Sequence, residues 1–253
     1  MKKRIWELDF LRSLAFILMV FDHFTFDLAI LETTIWWEYD PHFLTGLCNF
    51  AITYRDSDFS MFIRIAFISG VFIFISGICG NLSRNNFKRG IKLGIIAILL
   101  TVITFIFSKI SGIDITIWFG ILHLLSVGML LTPLFMKIPK IANIIIAVVI
   151  TGLGIFFGTI VAYENIPKIL MIFNFKTVSS ADYYPIFPFL GIYIIGLLVG
   201  SIVYKNKESL FPNTETKYIS PLLFIGRHSL IFYFVHQIIL FVIIYALGLL
   251  FII

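Results

Sequence analysis

Long apolar runs separated by short polar ones dominate the pattern of this chain. Runs of about 20 residues, long enough to cross a bilayer as a helix, fall roughly over 5–30, 60–82, 89–108, 115–136, 141–163, 184–204 and 221–251. The pattern predicts an all-α membrane protein, with residues 1–253 forming a single polytopic bundle of about seven transmembrane helices. No Pro/Ser-rich or charged stretch is long enough to link two domains, and no internal repeat stands out. Two connecting segments, about 31–58 and 164–182, are long enough to cover an opening, and neither has the regularity of a folded domain. Gly196 and Gly200 form a GxxxG pair that predicts a close-packing face on the sixth helix.

Charge adds an orientation. With Met1 inside, the cytoplasmic segments hold Lys2, Lys3 and Arg4, then Arg84, Lys88, Arg89 and Lys92, then Lys137 and Lys140, then Lys205, Lys207 and Lys217. The opposite segments hold Glu32, Glu38, Asp40, Asp56, Asp58, Asp114, Glu164 and Asp182. This positive-inside alternation predicts a cytoplasmic N-terminus and a multi-pass protein of the cell membrane. A signal peptide over Met1 to Leu31 is excluded, because Asp9, Arg12, Asp22 and His23 interrupt the run and no small-residue cleavage site follows.

Composition agrees. Hydrophobic residues make up 60% of the 253 and charged residues 13%, with a mean hydropathy of +1.02, so lipid has to be the solvent for most of the chain. The net charge of +5 does not indicate a nucleic-acid partner, since the basic residues are scattered through short loops. Trp6, Trp36, Trp37 and Trp118 near helix ends suit interfacial belts. Cys48 and Cys79 have no metal or redox spacing, and no bridge between them is expected.

Ionisable residues inside an apolar run are costly and usually face a bundle interior for a functional reason. The first helix holds five: Asp9, Arg12, Asp22, His23 and Asp27. Arg12 and His23 are eleven residues apart, hence about 20° apart in azimuth and roughly 16 Å along the axis. Asp9 precedes Arg12 by three residues and Asp27 follows His23 by four, so each cation or imidazole has a carboxylate on its own stripe. His123 and His236 lie in later helices, and neutral imidazole transfers protons near pH 7 without a large pKa shift. The alternative for any one of them is a hydrogen-bonded packing residue, and for Arg12 a side chain reaching the headgroups. His228, beside Arg227, reads as interfacial or capping, and His42 as a solvated loop residue with a substrate contact as the second option.

At these residues the sequence resembles a known family. The segments RIWELDFLRSLAFILMVFDHFTFDL (4–28), FIFISGICGNLSR (72–84), WFGILHLLSVGML (118–130), YYPIFPFLGIYIIGLLVG (183–200) and GRHSLIFYFVHQ (226–237) look like the bacterial branch of the heparan-alpha-glucosaminide N-acetyltransferase catalytic-domain family. The first helix is also similar to the acyltransferase type 3 family, which has an Arg or Lys, ten residues, then a His, as Arg12 and His23 do here. The ending with Gly226, Ser229, Tyr233 and His236 looks like that superfamily's last helix. One departure stands out: lysosomal members carry the acetyl-transfer His in the first lumenal loop, where this chain offers only His42.

The resemblance implies a membrane acyltransferase that takes an acetyl group from cytoplasmic acetyl-CoA to a sugar or other acceptor at the membrane or outer face. Arg12 would bind CoA phosphate or a pantetheine carbonyl, helped by Arg84, Lys88, Arg89 and Lys92. His23 would act as base or be acetylated, with Asp27 or alternatively Asp22 setting its tautomer. His123, His236 and Ser229 are candidates for holding the oxyanion or the acceptor. No His/Asp/Glu spacing demands a metal. The expected partners are membrane lipid, acetyl-CoA and a sugar or glycolipid, with a second copy of the chain as an option. A transporter or flippase for a polar or lipid-linked solute would also line an interior face with charge, but the absence of an inverted repeat disfavours it. The ionisable residues concentrated in one helix disfavour a purely structural subunit.

Overall fold

The computed structural model describes residues 4–39, 42–112, 114–159, 180 and 182–251. The long segment expected over 164–182 lies outside these apart from Ser180 and Asp182, as do Lys2, Lys3, Asp40 and Glu164. Ten α-helices account for the described chain: α1 (Trp6–Thr34), α2 (Thr45–Asp56), α3 (Asp58–Phe62), α4 (Val71–Leu82), α5 (Asn86–Ser111), α6 (Ile121–Phe135), α7 (Lys140–Thr159), α8 (Ile186–Val203), α9 (Ser220–Arg227) and α10 (Ser229–Phe251). No strand occurs among the described residues, which hold one isolated bridge between Phe119 and Tyr183.

Among the described residues, five helices are long and apolar enough to cross a membrane: Trp6–Thr34, Asp58–Leu82, Asn86–Ile110, Ile186–Val203 and Ser229–Leu250. The expected fourth and fifth spans correspond to shorter apolar helices, Ile121–Phe135 and Lys140–Phe156. The fourth starts at Ile121 rather than near 115 for a local reason. Ser108 Oγ accepts the Ile115 amide at 3.0 Å and Thr104 Oγ1 accepts the Ile117 amide at 3.1 Å, so side chains of α5 hold the non-helical stretch before Ile121 against that helix. The last run is two helices, broken at His228, whose amide is shared between the carbonyls of Phe224 and Ile225. The segment over 31–58 carries more regular structure than its composition suggests, since the 12-residue α2 lies within it.

The second span, Asp58–Leu82, starts where Ser57 Oγ accepts the Ser60 amide at 3.2 Å. Between α3 and α4 it widens into a π-helical stretch over Ile63–Gly70, within which Ser69 Oγ donates to the Arg64 carbonyl five residues back. At the other end of the next helix, α5 stops at Gly112, which takes the left-handed φ of 76° that an L side chain avoids.

The residues fall into two compact units, Met1–Phe72 with Ser209–Ile253, and Ile73–Glu208. In the first, α1 packs against α2, the π-helical stretch, α9 and α10. Helix α9 approaches α1 closely because Gly226 lacks a side chain: a Cβ there would collide with the Asp9 carbonyl and lie 2.8 Å from Ser13 Oγ. Ser13 Oγ, fully buried, donates between the carbonyls of Asp9 and Leu222 and ties the two helices together. Leu28, Leu31, Trp36, Cys48, Ala51 and Ile244 form one apolar core, and Phe16, Met19 and Ile68 another. Only 6% of the apolar window of α10 is buried, so most of that helix is left for lipid.

In the second unit, α5 packs on α6 and α7 on α8. The GxxxG face behaves as expected: a Cβ on Gly196 would strike the Phe74 carbonyl, and one on Gly200 would sit 2.8 Å from the Ile78 carbonyl. Asn81 reinforces this contact between α4 and α8 by donating to the Leu197 carbonyl.

Candidate active site

One end of the α1 stripe is a charge cluster. Asp9, 3% exposed, accepts from Arg4 Nε at 2.8 Å and Arg12 Nη1 at 2.9 Å, and Arg227 Nε lies 3.6 Å away. A single carboxylate therefore gathers three guanidiniums from the chain start, α1 and the end of α9. The spacing of Asp9 and Arg12 announced their pairing, whereas Arg4 and Arg227 had to be brought in by the fold.

About 16 Å further along α1, His23 donates Nδ1–H to the Met19 carbonyl one turn back, at 2.8 Å. Because a carbonyl can only accept, that bond fixes the tautomer and leaves the Nε2 lone pair for another partner. The ring meets His236 of α10 edge to face, with centroids 5.0 Å apart, and Phe16 and Tyr233 also pack on His236. His236 repeats the arrangement, with Nδ1–H on the Phe232 carbonyl at 3.0 Å and a buried Nε2 that has no hydrogen-bond partner among the described residues. Asp27, expected to set the His23 tautomer, instead accepts from Gln237 Nε2 at 2.8 Å. The main chain of α1 sets that tautomer.

Asp22, the alternative partner for His23, is engaged elsewhere. Its Oδ1 lies 3.3 Å from Arg64 Nε and 3.7 Å from Arg55 Nη1, and Arg55 also donates to the Asp22 carbonyl at 3.1 Å. Arg55 comes from α2 and sits over the Phe26 ring at 4.7 Å, while Arg64 comes from the π-helical stretch. Burial lowers the pKa of the Arg55 guanidinium, and the Asp22 charge acts in the opposite direction. Neither arginine was singled out in the sequence. Arg64 carried a signal, being an ionisable residue inside an expected span.

His42 is not solvated. Its side chain is 3% exposed, its Nδ1 accepts the Leu44 amide at 3.1 Å, and its Nε2–H donates to Glu32 Oε2 at 2.8 Å. Glu32, His42 and Cys48 bring three ligand-type atoms within 4.8 Å of one another. Yet the His42 lone pair faces Leu44 rather than this group. Burial, helped by the Glu32 charge, also pushes the Cys48 thiol up to about 12. The trio is thus joined by hydrogen bonds, with Glu32 accepting from His42.

The remaining candidates have the following surroundings. In the second unit His123 accepts the Gly120 amide at 3.2 Å through Nδ1 and meets Thr101 Oγ1 at 3.2 Å through Nε2, so both ring nitrogens serve the start of α6. Arg84, Lys88 and Arg89 are exposed around the start of α5, where Asn85 caps the Lys88 amide at 2.9 Å. Ser229 opens α10, seven residues and so about 10 Å from His236 along the axis.

No curated protein and no solved structure matches the chain. A sequence model of the heparan-alpha-glucosaminide N-acetyltransferase catalytic domain does match, over residues 4–238, with the stripe of α1 and both His236 and Gln237 inside the matched stretch. With that match covering most of its length, the chain belongs to the heparan-alpha-glucosaminide N-acetyltransferase catalytic-domain family, a family of membrane acetyltransferases.

Proposed function

We propose that this protein transfers an acetyl group from acetyl-CoA to a sugar or other nucleophilic acceptor, with His23 as general base. The observation that carries this reading is the state of the His23 ring: Nδ1–H is held by the Met19 carbonyl, so Nε2 offers a lone pair beside His236. His42 supports the choice by contrast, because both of its nitrogens are already committed.

The N-terminus lies in the cytoplasm, seven spans cross the cell membrane, and the arginines around Asp9 take the anionic part of acetyl-CoA. Arg12 is the central contact, since it is the least exposed of the three, and the exposed Arg84, Lys88 and Arg89 add to the positive potential of the cytoplasmic side. The thioester reaches the level of His23 through the interior. There the acceptor attacks the acetyl carbon, His23 Nε2 takes the acceptor's proton, the C–S bond breaks, and the proton passes to the departing thiolate. Positioned donors near the carbonyl oxygen would lower the barrier further. Asp22, with Arg55 and Arg64, fixes α1 against its neighbours beside the reacting level. The test is acetyl transfer by the purified protein and its His23→Ala variant, with acetyl-CoA binding measured on both.

A further inference from the structure

Two buried serines hold the arginines that meet Asp22. Ser60 Oγ, in α3, donates between the carbonyls of Arg55 and Ser57 at 3.0 and 3.1 Å and accepts from Arg64 Nη2 at 3.2 Å. One hydroxyl thus touches the main chain of one arginine and the guanidinium of the other. Ser69 Oγ donates at 3.0 Å to the Arg64 carbonyl, five residues back, which is the step of the π-helical stretch that carries Arg64. Gly70 lets that wide turn close, since a Cβ there would lie 2.8 Å from the Ile65 carbonyl, again five residues back. Arg64 needs such support, because charge attraction alone does not aim a guanidinium. Its Nε lies 3.3 Å from Asp22 Oδ1, yet neither atom has a hydrogen-bond partner among the described residues.

Resting on the transferase reading above, we propose that Ser60 and Ser69 are positioning residues for His23, acting through Arg64 and Asp22. Asp22 directly precedes His23 on α1, and it is met there by arginines from α2 and the π-helical stretch. Ser60 sets the guanidinium end of Arg64 and Ser69 its carbonyl end. Each residue added to or dropped from a helix turns the remainder by about 100°, so relaxing the stretch to α geometry would swing Arg64 off Asp22. Helix α1 would then lose a contact one residue from the imidazole that takes the acceptor's proton. Misplacing a reacting group by about 1 Å can lower the rate about 10²-fold. Acetyl-CoA, held at the Arg12 end of the stripe roughly 16 Å away, would bind as before.

Two measurements on the full chain in nanodiscs test this. The first is thermal unfolding of Ser69→Ala, Arg64→Met and the double variant. Ser69→Ala should lower Tm in the wild-type background and by clearly less beside Arg64→Met, which has no guanidinium to aim; equal shifts in both backgrounds overturn the link through Arg64. The second is thiol release from acetyl-CoA with methyl 2-amino-2-deoxy-α-D-glucopyranoside as acceptor probe. Ser60→Ala and Ser69→Ala should each lower kcat about tenfold or more with the acetyl-CoA KM little changed. Ser69→Cys, close in size but a weaker donor, should fall between Ser69→Ala and the wild type. A wild-type kcat in both alanine variants, or a loss carried by KM alone, overturns the positioning role. Should an alanine variant fail to fold, Ser69→Cys decides by the same two readings. If the wild-type protein releases no thiol from acetyl-CoA, the transferase reading itself falls, and the role toward His23 falls with it, whatever the unfolding cycle gives.

Discussion

The rings of His23 and His236 meet edge to face with their centroids 5.0 Å apart, one from α1 and the other from α10. Both donate Nδ1–H to the carbonyl one turn back in their own helix. Both imidazoles thereby carry their proton on the same nitrogen.

Arg12 lies at the other end of the stripe, held by Asp9 at 2.9 Å. Arg12→Ala should weaken acetyl-CoA binding by roughly tenfold or more, because a charge-assisted contact contributes about 1.5–3 kcal/mol. Arg12→Lys should recover only part of it, since lysine lacks the planar fork. Calorimetry showing unchanged affinity in Arg12→Ala would make this arginine structural.

His42 should matter for stability and not for transfer. Removing its ring leaves the buried Glu32 without its imidazole donor, a cost of about 1–3 kcal/mol. His42→Ala should therefore unfold at lower temperature in detergent while keeping its acetyl-transfer rate. A stable but inactive variant would place the reacting histidine here instead.

Asp22 should show coupling rather than simple loss. Truncating one member of a buried ion pair costs about 3–5 kcal/mol because its partner is left uncompensated. Asp22→Ala should accordingly destabilise strongly, and adding Arg64→Met should recover part of the loss. Unfolding measured across this double-mutant cycle gives the coupling, and strict additivity would show that the 3.3 Å contact contributes nothing.

Cys48 gives a pH signature. With its folded pKa near 12 against an ordinary 9.0, the thiol keeps its proton in the folded state where the unfolded chain loses it. This contribution is whole below about pH 9 and declines as pH rises toward 12. At pH 8 a maleimide should label Cys48 only after denaturation, as read by mass spectrometry of the peptide. Rapid labelling of the folded protein would contradict its burial.

Much of this site was legible in the sequence because helical phase is simple arithmetic: eleven residues put Arg12 and His23 on one face, and three put Asp9 beside Arg12. Partners from other elements were not legible. Nothing local says that Arg55 and Arg64 reach Asp22, or that Gln237 takes Asp27 away from His23, because those pairings depend on how α2, the π-helical stretch and α10 pack on α1. Hydropathy located the apolar runs, but it could not show that Thr104 and Ser108 of α5 would tie down a non-helical stretch before Ile121. It read the segment holding His42 as solvated for a similar reason, since the burial of that ring depends on Trp36, Glu32 and Leu44 closing around it.

The central claim concerns His23 Nε2, and one measurement tests it most directly: the single-turnover rate of acetyl transfer in His23→Ala, with acetyl-CoA affinity measured on the same sample. General-base assistance contributes about 10²- to 10⁴-fold, so the rate should fall by that factor while acetyl-CoA binding and thermal stability are retained. Transfer at the wild-type rate in a folded, acetyl-CoA-binding His23→Ala protein would contradict the account.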